Sequence, residues 1–304
     1  MKKIFTKDNA STALKGFCIG ALMTFPGMSG GTLALIADIY DRLVAAVSGL
    51  RKNFKKNFLF LLLFGLCGAA GMLLFSKVLL YLAQTYPLPM RFLFVGLIIG
   101  GVPMLLRKMF PEKQKLATYK YVITGLLFLA GIGAVLLINM MPDGLVSFDT
   151  GFSLKTVWGV VVAAFFLAVA MILPGISFSH MLIVLGIYDR FYKALGALPD
   201  VRHWGENSGD ILFLFVIGVA TVIGVLALIK VLDKCMTQYP MFTFSAILGF
   251  VFASIRNVLQ GDGLPIPPYG AGTVIISVVF LIAGATAVFF ITRKSKAKQT
   301  EQDQ

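Results

Sequence analysis

Charge is scarce in this chain. Acidic and basic side chains make up 13% of its 304 residues, about half the share usual in soluble domains, which excludes an ordinary solvated surface. Cysteine is scarcer still. Cys18, Cys67 and Cys235 are the only three, and each sits in an apolar run, so there is neither a disulfide framework nor a metal-ligand spacing. Glutamate occurs three times, as Glu112, Glu206 and Glu301, all in expected loops or the tail.

What is abundant is apolar sequence, 58% of residues, arranged in several runs of about 20, the length that spans a bilayer as a helix. An all-α integral membrane protein follows. The formal net charge is +13, but the lysines and arginines cluster between the apolar runs. They read as cytoplasmic anchors on anionic lipid and not as a nucleic-acid surface. Lys2, Lys3 and Lys7 ahead of an apolar run imitate a signal peptide. The run continues past Pro26 with no small-x-small cleavage site, so no cleavage is expected.

The first apolar segment, about 10–50, is broken by Pro26-Gly27 and Gly30-Gly31. Each arm has only about 15 to 18 residues, roughly 22 to 27 Å of helix, so a re-entrant hairpin of two arms is expected. Spans follow over about 57–84, 90–106 and 121–141, and the second half repeats the order with a broken segment over about 154–198 and spans over about 211–232, 241–258 and 270–292.

The organising motif is Phe25-Pro26-Gly27-Met28-Ser29-Gly30-Gly31-Thr32, followed by Ile39-Tyr40-Asp41-Arg42. It returns 148 positions later as Leu173-Pro174-Gly175-Ile176-Ser177-Phe178-Ser179-His180, followed by Ile187-Tyr188-Asp189-Arg190. Past the next loop the offset becomes 153, with Phe60 matching Phe213, Lys77 matching Lys230, Pro87 matching Pro240, Gly96 matching Gly249 and Gly131 matching Gly284. The expected division is therefore a first repeat over 1–150 and a second over 151–304. The N-terminus, the loop at 51–56, the loop at 107–120 and the C-terminal tail are basic and hence cytoplasmic, whereas the turns near Tyr86, Asp143–Asp149, Pro199–Asp210 and Gln260–Tyr269 are not. This pattern holds if each broken segment returns to its own side. Each half is then one re-entrant hairpin plus three transmembrane helices, and the odd count inverts the second half.

Inverted repeats with discontinuous helices place substrate near the midplane. Ser29, Gly30, Gly31 and Thr32 would open a returning helix whose free amides favour an anion, phosphate above all. Ser177, Ser179 and His180 mark the second tip, and Pro26, Gly27, Pro174 and Gly175 are the hinges. The same small residues also suit tight turns between packed helices. Arg42 and Arg190 lie 13 residues beyond their serines, roughly 20 Å along a continuous helix. They read either as phosphate docking posts or as anchors ion-paired to the neighbouring Asp41 and Asp189. Lys77 and Lys230 are candidate phosphate ligands or snorkelling interface residues. Asp38 is a candidate protonatable group or a solvated helix end.

These paired motifs, PGMSGG and PGISFSH, each followed by IYDR, resemble a bacterial and archaeal membrane family once known as a domain of unknown function and identified with polyprenyl-phosphate translocation (PopT-type). The resemblance covers essentially the whole chain. It implies a flippase of the cytoplasmic membrane, both termini cytoplasmic, that returns undecaprenyl phosphate from the outer to the inner leaflet. It further implies a polyprenyl phosphate lipid as partner and no cofactor, with proton or sodium coupling open. A weaker resemblance is to the undecaprenyl pyrophosphate phosphatase (BacA-type) family. The arginine that follows the serine in that family's signature is replaced here by Gly30 and Phe178, and its glutamates are missing. An ion-coupled small-anion transporter is the other alternative.

Overall fold

The computed structural model describes residues 7–23, 25, 28–110, 117–145, 154–197, 205–206, 208–260 and 270–300. The expected hinges Pro26 and Gly27, and the greater part of the loops that carry the topology argument around 111–116, 146–153, 198–204 and 261–269, lie outside them.

The described residues are all helix and connecting turn. The first half contains α1 (Lys7–Leu22), α2 (Gly30–Ile36), α3 (Tyr40–Ser48), α4 (Phe54–Thr85), α5 (Pro87–Met109) and α6 (Thr118–Asn139). The second contains α7 (Leu154–Ile172), α8 (Phe178–Val184), α9 (Tyr188–Ala197), α10 (Ser208–Gln238), α11 (Pro240–Gln260) and α12 (Ala271–Thr300). Long, short, short and then three long helices recur in the same order. Six helices, α4, α5, α6, α10, α11 and α12, carry stretches long and apolar enough to cross a membrane, which makes this a multi-pass membrane protein.

Punctuation explains the boundaries. Proline opens α5 at Pro87 and α11 at Pro240, the first-turn position where its missing N–H costs no hydrogen bond. One residue each, Tyr86 and Tyr239, joins these helices to their predecessors.

The expectation of one continuous return arm per hairpin is corrected. Asp38 and Gly186, repeat-equivalent at the 148 offset, both adopt left-handed backbone, with φ of 52° and 73°. Each ends its short helix with the same pair of bonds. Asp38 N–H donates to Leu35 O and Ile39 N–H to Ala34 O; Gly186 N–H donates to Ile183 O and Ile187 N–H to Leu182 O. That is a Schellman cap, so α3 and α9 start afresh at Tyr40 and Tyr188, and the straight 20 Å path from serine to arginine does not exist.

Glycine sets the long-helix crossings, and it does so reciprocally. A Cβ on Gly96 of α5 would meet Leu281 O of α12 at 2.1 Å, and one on Gly284 of α12 would meet Leu93 O at 2.4 Å. In the other pair, a Cβ on Gly249 of α11 would meet Phe128 O of α6 at 2.2 Å, and one on Gly131 of α6 would meet Ala246 O at 2.3 Å. Adding 153 to the first-half numbers converts one crossing into the other, so each half lends its last two long helices to its counterpart. Close backbone approach of this kind is what small residues contribute where lipid removes the hydrophobic drive. Helices α5 and α11 lie innermost, with 56% and 50% of their apolar stretches buried inside the protein, against 17% or less for the other four.

Candidate functional site

The two broken segments meet at the centre of the molecule. Gly175 N–H donates to Thr32 Oγ1 at 2.9 Å, a buried bond between the two tips. A Cβ on Gly31 would lie 3.1 Å from Pro174 Cα, and one on Gly175 would strike Phe250 O at 2.3 Å. Gly175 also has φ of 89°, so this turn accepts glycine alone. A second buried bond joins the halves where Tyr40 Oη donates to Ile172 O at 2.6 Å. Of the predicted site residues, the structure therefore brings Gly31, Thr32, Pro174 and Gly175 together.

Ser29 caps α2 through its backbone only and is buried, and the α2 ladder starts with Leu33 N–H donating to Ser29 O. The amides of Gly30, Gly31 and Thr32 thus precede the first intrahelical bond. A Cβ on Gly30 would face the Met23 sulfur at 2.9 Å. At the second tip Ser177 Oγ accepts from His180 N–H at 3.4 Å. His180 Nε2 is buried without a hydrogen-bond partner, and Ser179 is half-buried.

The arginines take equivalent seats. The Arg42 guanidinium stands 4.3 Å from the Phe60 ring centroid and that of Arg190 4.3 Å from the Phe213 centroid. Phe60 and Phe213 are themselves repeat partners. Arg42 reaches Asp8 through both nitrogens, at 2.8 and 3.0 Å. Arg190 donates to Asp210 at 3.2 Å, and Lys193 joins the same carboxylate at 2.8 Å.

The expected pairing of each arginine with its neighbouring aspartate is corrected. Successive residues on a helix project in different directions, so Asp41 instead meets Lys108 at 2.6 Å. Asp189 is exposed and forms no ion pair among the described residues. Asp38 also binds Lys108, at 3.1 Å, while its carbonyl accepts from Lys15 Nζ at 3.1 Å. These bonds tie α1, α3 and the basic end of α5 at one pole. Lys77 and Lys230 are exposed on α4 and α10, and neither joins the tips or the arginine seats.

Around Arg42 the protein opens into a cavity of about 810 Å³. Asp8, Asn9, Lys56 and Asn57 line its polar end, with a wall of Leu59, Leu62, Leu63 and Leu66. This arrangement can hold an anionic headgroup above an apolar chain.

Several functional candidates escaped sequence reasoning. Asp8 and Asp210 are not repeat partners: Thr156 and Asn57 stand at the corresponding positions. Repeat arithmetic therefore passed over both. Arg91 is 1% exposed and donates to Leu259 O near the C-terminal end of α11 at 2.9 Å. An arginine one turn inside an apolar span was the available signal, since intramembrane charges mark function or buried partners.

Three comparisons place the chain among known proteins. The sequence model of the undecaprenyl phosphate translocase-like family matches residues 19–264. A polyprenyl-phosphate transporter of Staphylococcus aureus is 31% identical over 275 residues, covering 89% of this chain and 93% of that protein. A polyprenyl-phosphate transporter of Vibrio cholerae is 29% identical over 269 residues, covering 83% of this chain and 78% of the relative. No solved structure matches.

Proposed function

The chain belongs to the undecaprenyl phosphate translocase-like family, and on that premise we propose that it carries polyprenyl phosphate across the cytoplasmic membrane of a bacterium or archaeon, from the outer to the inner leaflet, so that the carrier lipid can be reused. The curated relatives are named transporters, which favours translocation over phosphatase chemistry or uptake of small anions.

The observation that carries this reading is the equivalent seating of Arg42 over Phe60 and Arg190 over Phe213. A guanidinium seated over a ring is a planar cation suited to phosphate once its carboxylate partner gives way, and the repeat supplies one such cation per half. The two tips are bonded to each other through Thr32 and Gly175. An unpaired phosphate crossing hydrocarbon costs tens of kcal/mol by the Born estimate. Serines, leading amides and cations along the protein lower that cost while the isoprenoid chain stays in lipid. In this reading the tips part to pass the headgroup and then close behind it.

Three spans plus one re-entrant hairpin per half make the repeats inverted, with Arg42 cytoplasmic among Arg51, Lys52, Lys55 and Lys56, and Arg190 external. Anionic lipid holds the basic loops. The protein works without a bound cofactor, and proton or sodium gradients are the candidate drivers. In a cysteine-free background, external reagent then labels Asp143→Cys and leaves Lys55→Cys untouched; external labelling of Lys55→Cys contradicts the inversion. For the arginines, Arg190→Ala is expected to abolish loading of phosphorylated lipid from the external leaflet and Arg42→Ala from the cytoplasmic one. Wild-type binding and transport in both folded variants would refute the docking role.

A further inference from the structure

We propose that the isoprenoid chain of the transported lipid is guided by two repeat-related grooves, one along the outer face of α4 and one along that of α10; this rests on the transport reading above. One is the space beside Arg42, about 810 Å³; the other, about 860 Å³, lies against α10 and is lined by Ser208, Ile211, Leu212, Phe215, Gly218 and further residues to Ile223. The 153 offset superimposes them. Leu59, Leu62 and Leu66 of the first correspond to Leu212, Phe215 and Val219 of the second, and all six line their cavities.

The first groove starts at a cation. It holds Arg42 and Lys56 in its own lining. The second, lined among the described residues by α10 alone and by no charged side chain, starts at Ser208. From there the groove residues descend α4 as far as Leu66 and α10 as far as Ile223, roughly 14 and 22 Å at the α-helical rise. One leaflet is about 15 Å deep. In the first groove a cation with a leaflet-deep apolar channel beneath it complements one occupant, a single-chain lipid with a phosphate head, and the repeat carries the apolar channel over to the second.

The surrounding acyl chains are as apolar as the channel, so hydrophobicity alone gives no preference for it. The groove contributes shape and direction. It holds the chain parallel to the helix and brings the phosphate up to the guanidinium. Gly218 keeps the second channel open, since a Cβ there would meet nothing within 4 Å.

The test uses the full chain in vesicles, with polyprenyl phosphate carrying a photoreactive group on its isoprenoid tail, followed by mapping of the labelled peptides. Label is expected between Leu59 and Leu66 and between Ile211 and Ile223, displaced by unlabelled polyprenyl phosphate and not by phosphatidylglycerol. Gly218→Leu fills open space and improves helix propensity; by occluding the channel it should sharply reduce labelling of α10 and leave α4 labelled. Leu62→Trp should do the reverse. Even labelling of all lipid-facing helices, absence of label from the channels (as when a second copy covers them), or displacement by phosphatidylglycerol overturns the groove assignment. Wild-type protein that moves no polyprenyl phosphate overturns the transport reading itself, and the grooves with it.

Discussion

Thr32 and Gly175, 143 positions apart, are joined by a buried 2.9 Å hydrogen bond between the side chain of one hairpin tip and the backbone of the other. The two halves thus meet through unlike groups, because the repeat partner of Thr32 is His180. Thr32→Val keeps the shape and removes the acceptor, leaving a buried N–H unpaired at about 1–3 kcal/mol. A lowered melting temperature in detergent is expected, restored in Thr32→Ser.

Gly175→Ala faces a second obstacle, the Phe250 carbonyl. Folded yield should collapse, as read by size-exclusion chromatography. Gly133→Ala, where a Cβ meets nothing within 4 Å, should behave as wild type or gain slightly from helix propensity.

The reciprocal crossings predict equal sensitivity. Gly96→Val and Gly249→Val each drive a side chain into a carbonyl of the opposite half. Both should lose thermal stability. A loss confined to one of them would contradict the exchange of helices.

Asp8 occupies both nitrogens of Arg42 that a phosphate would use. Both partners are exposed, at 42% and 66%, so the pair contributes at most ~1 kcal/mol. Asp8→Asn should therefore tighten binding of phosphorylated lipid by up to about fivefold, whereas Asp8→Ala with Arg42→Ala should bind no better than Arg42→Ala alone. Isothermal titration in nanodiscs decides between them.

Lys108 neutralises Asp38 and Asp41 together. Lys108→Met removes the cation these carboxylates share; with Asp41 45% exposed the loss should be about 1 kcal/mol, much of it recovered in Lys108→Arg. Thermal unfolding measures both.

Much of this architecture was legible in the sequence because a bilayer leaves few choices. Twenty-residue apolar runs, Tyr-Pro turns and glycines at a constant offset mark all six long helices and most of their ends, whereas α10 and α12 run on to Gln238 and Thr300, past the expected 232 and 292. The second break in each hairpin was also written there. Asp38 opposite Gly186 looked like an unmatched acid, yet a position that tolerates aspartate in one copy and glycine in the other is the signature of left-handed backbone. The ion pairs were not legible. Asp8, Asp210 and Lys108 come from different helices than the residues they bind, and none of the three pairings has a counterpart under the repeat. Arg91 needed three-dimensional burial to be noticed.

Leaflet-to-leaflet transfer tests the account most directly. Vesicles holding the purified protein receive fluorescent polyprenyl phosphate in one leaflet, and its arrival in the other is followed by protection from a membrane-impermeant quencher, with inorganic phosphate assayed in parallel. The account predicts protein-dependent transfer that fails in Arg42→Ala and Arg190→Ala, with no phosphate released. Phosphate release from the pyrophosphate lipid, uptake of free phosphate without lipid movement, or no transfer above protein-free vesicles would contradict it.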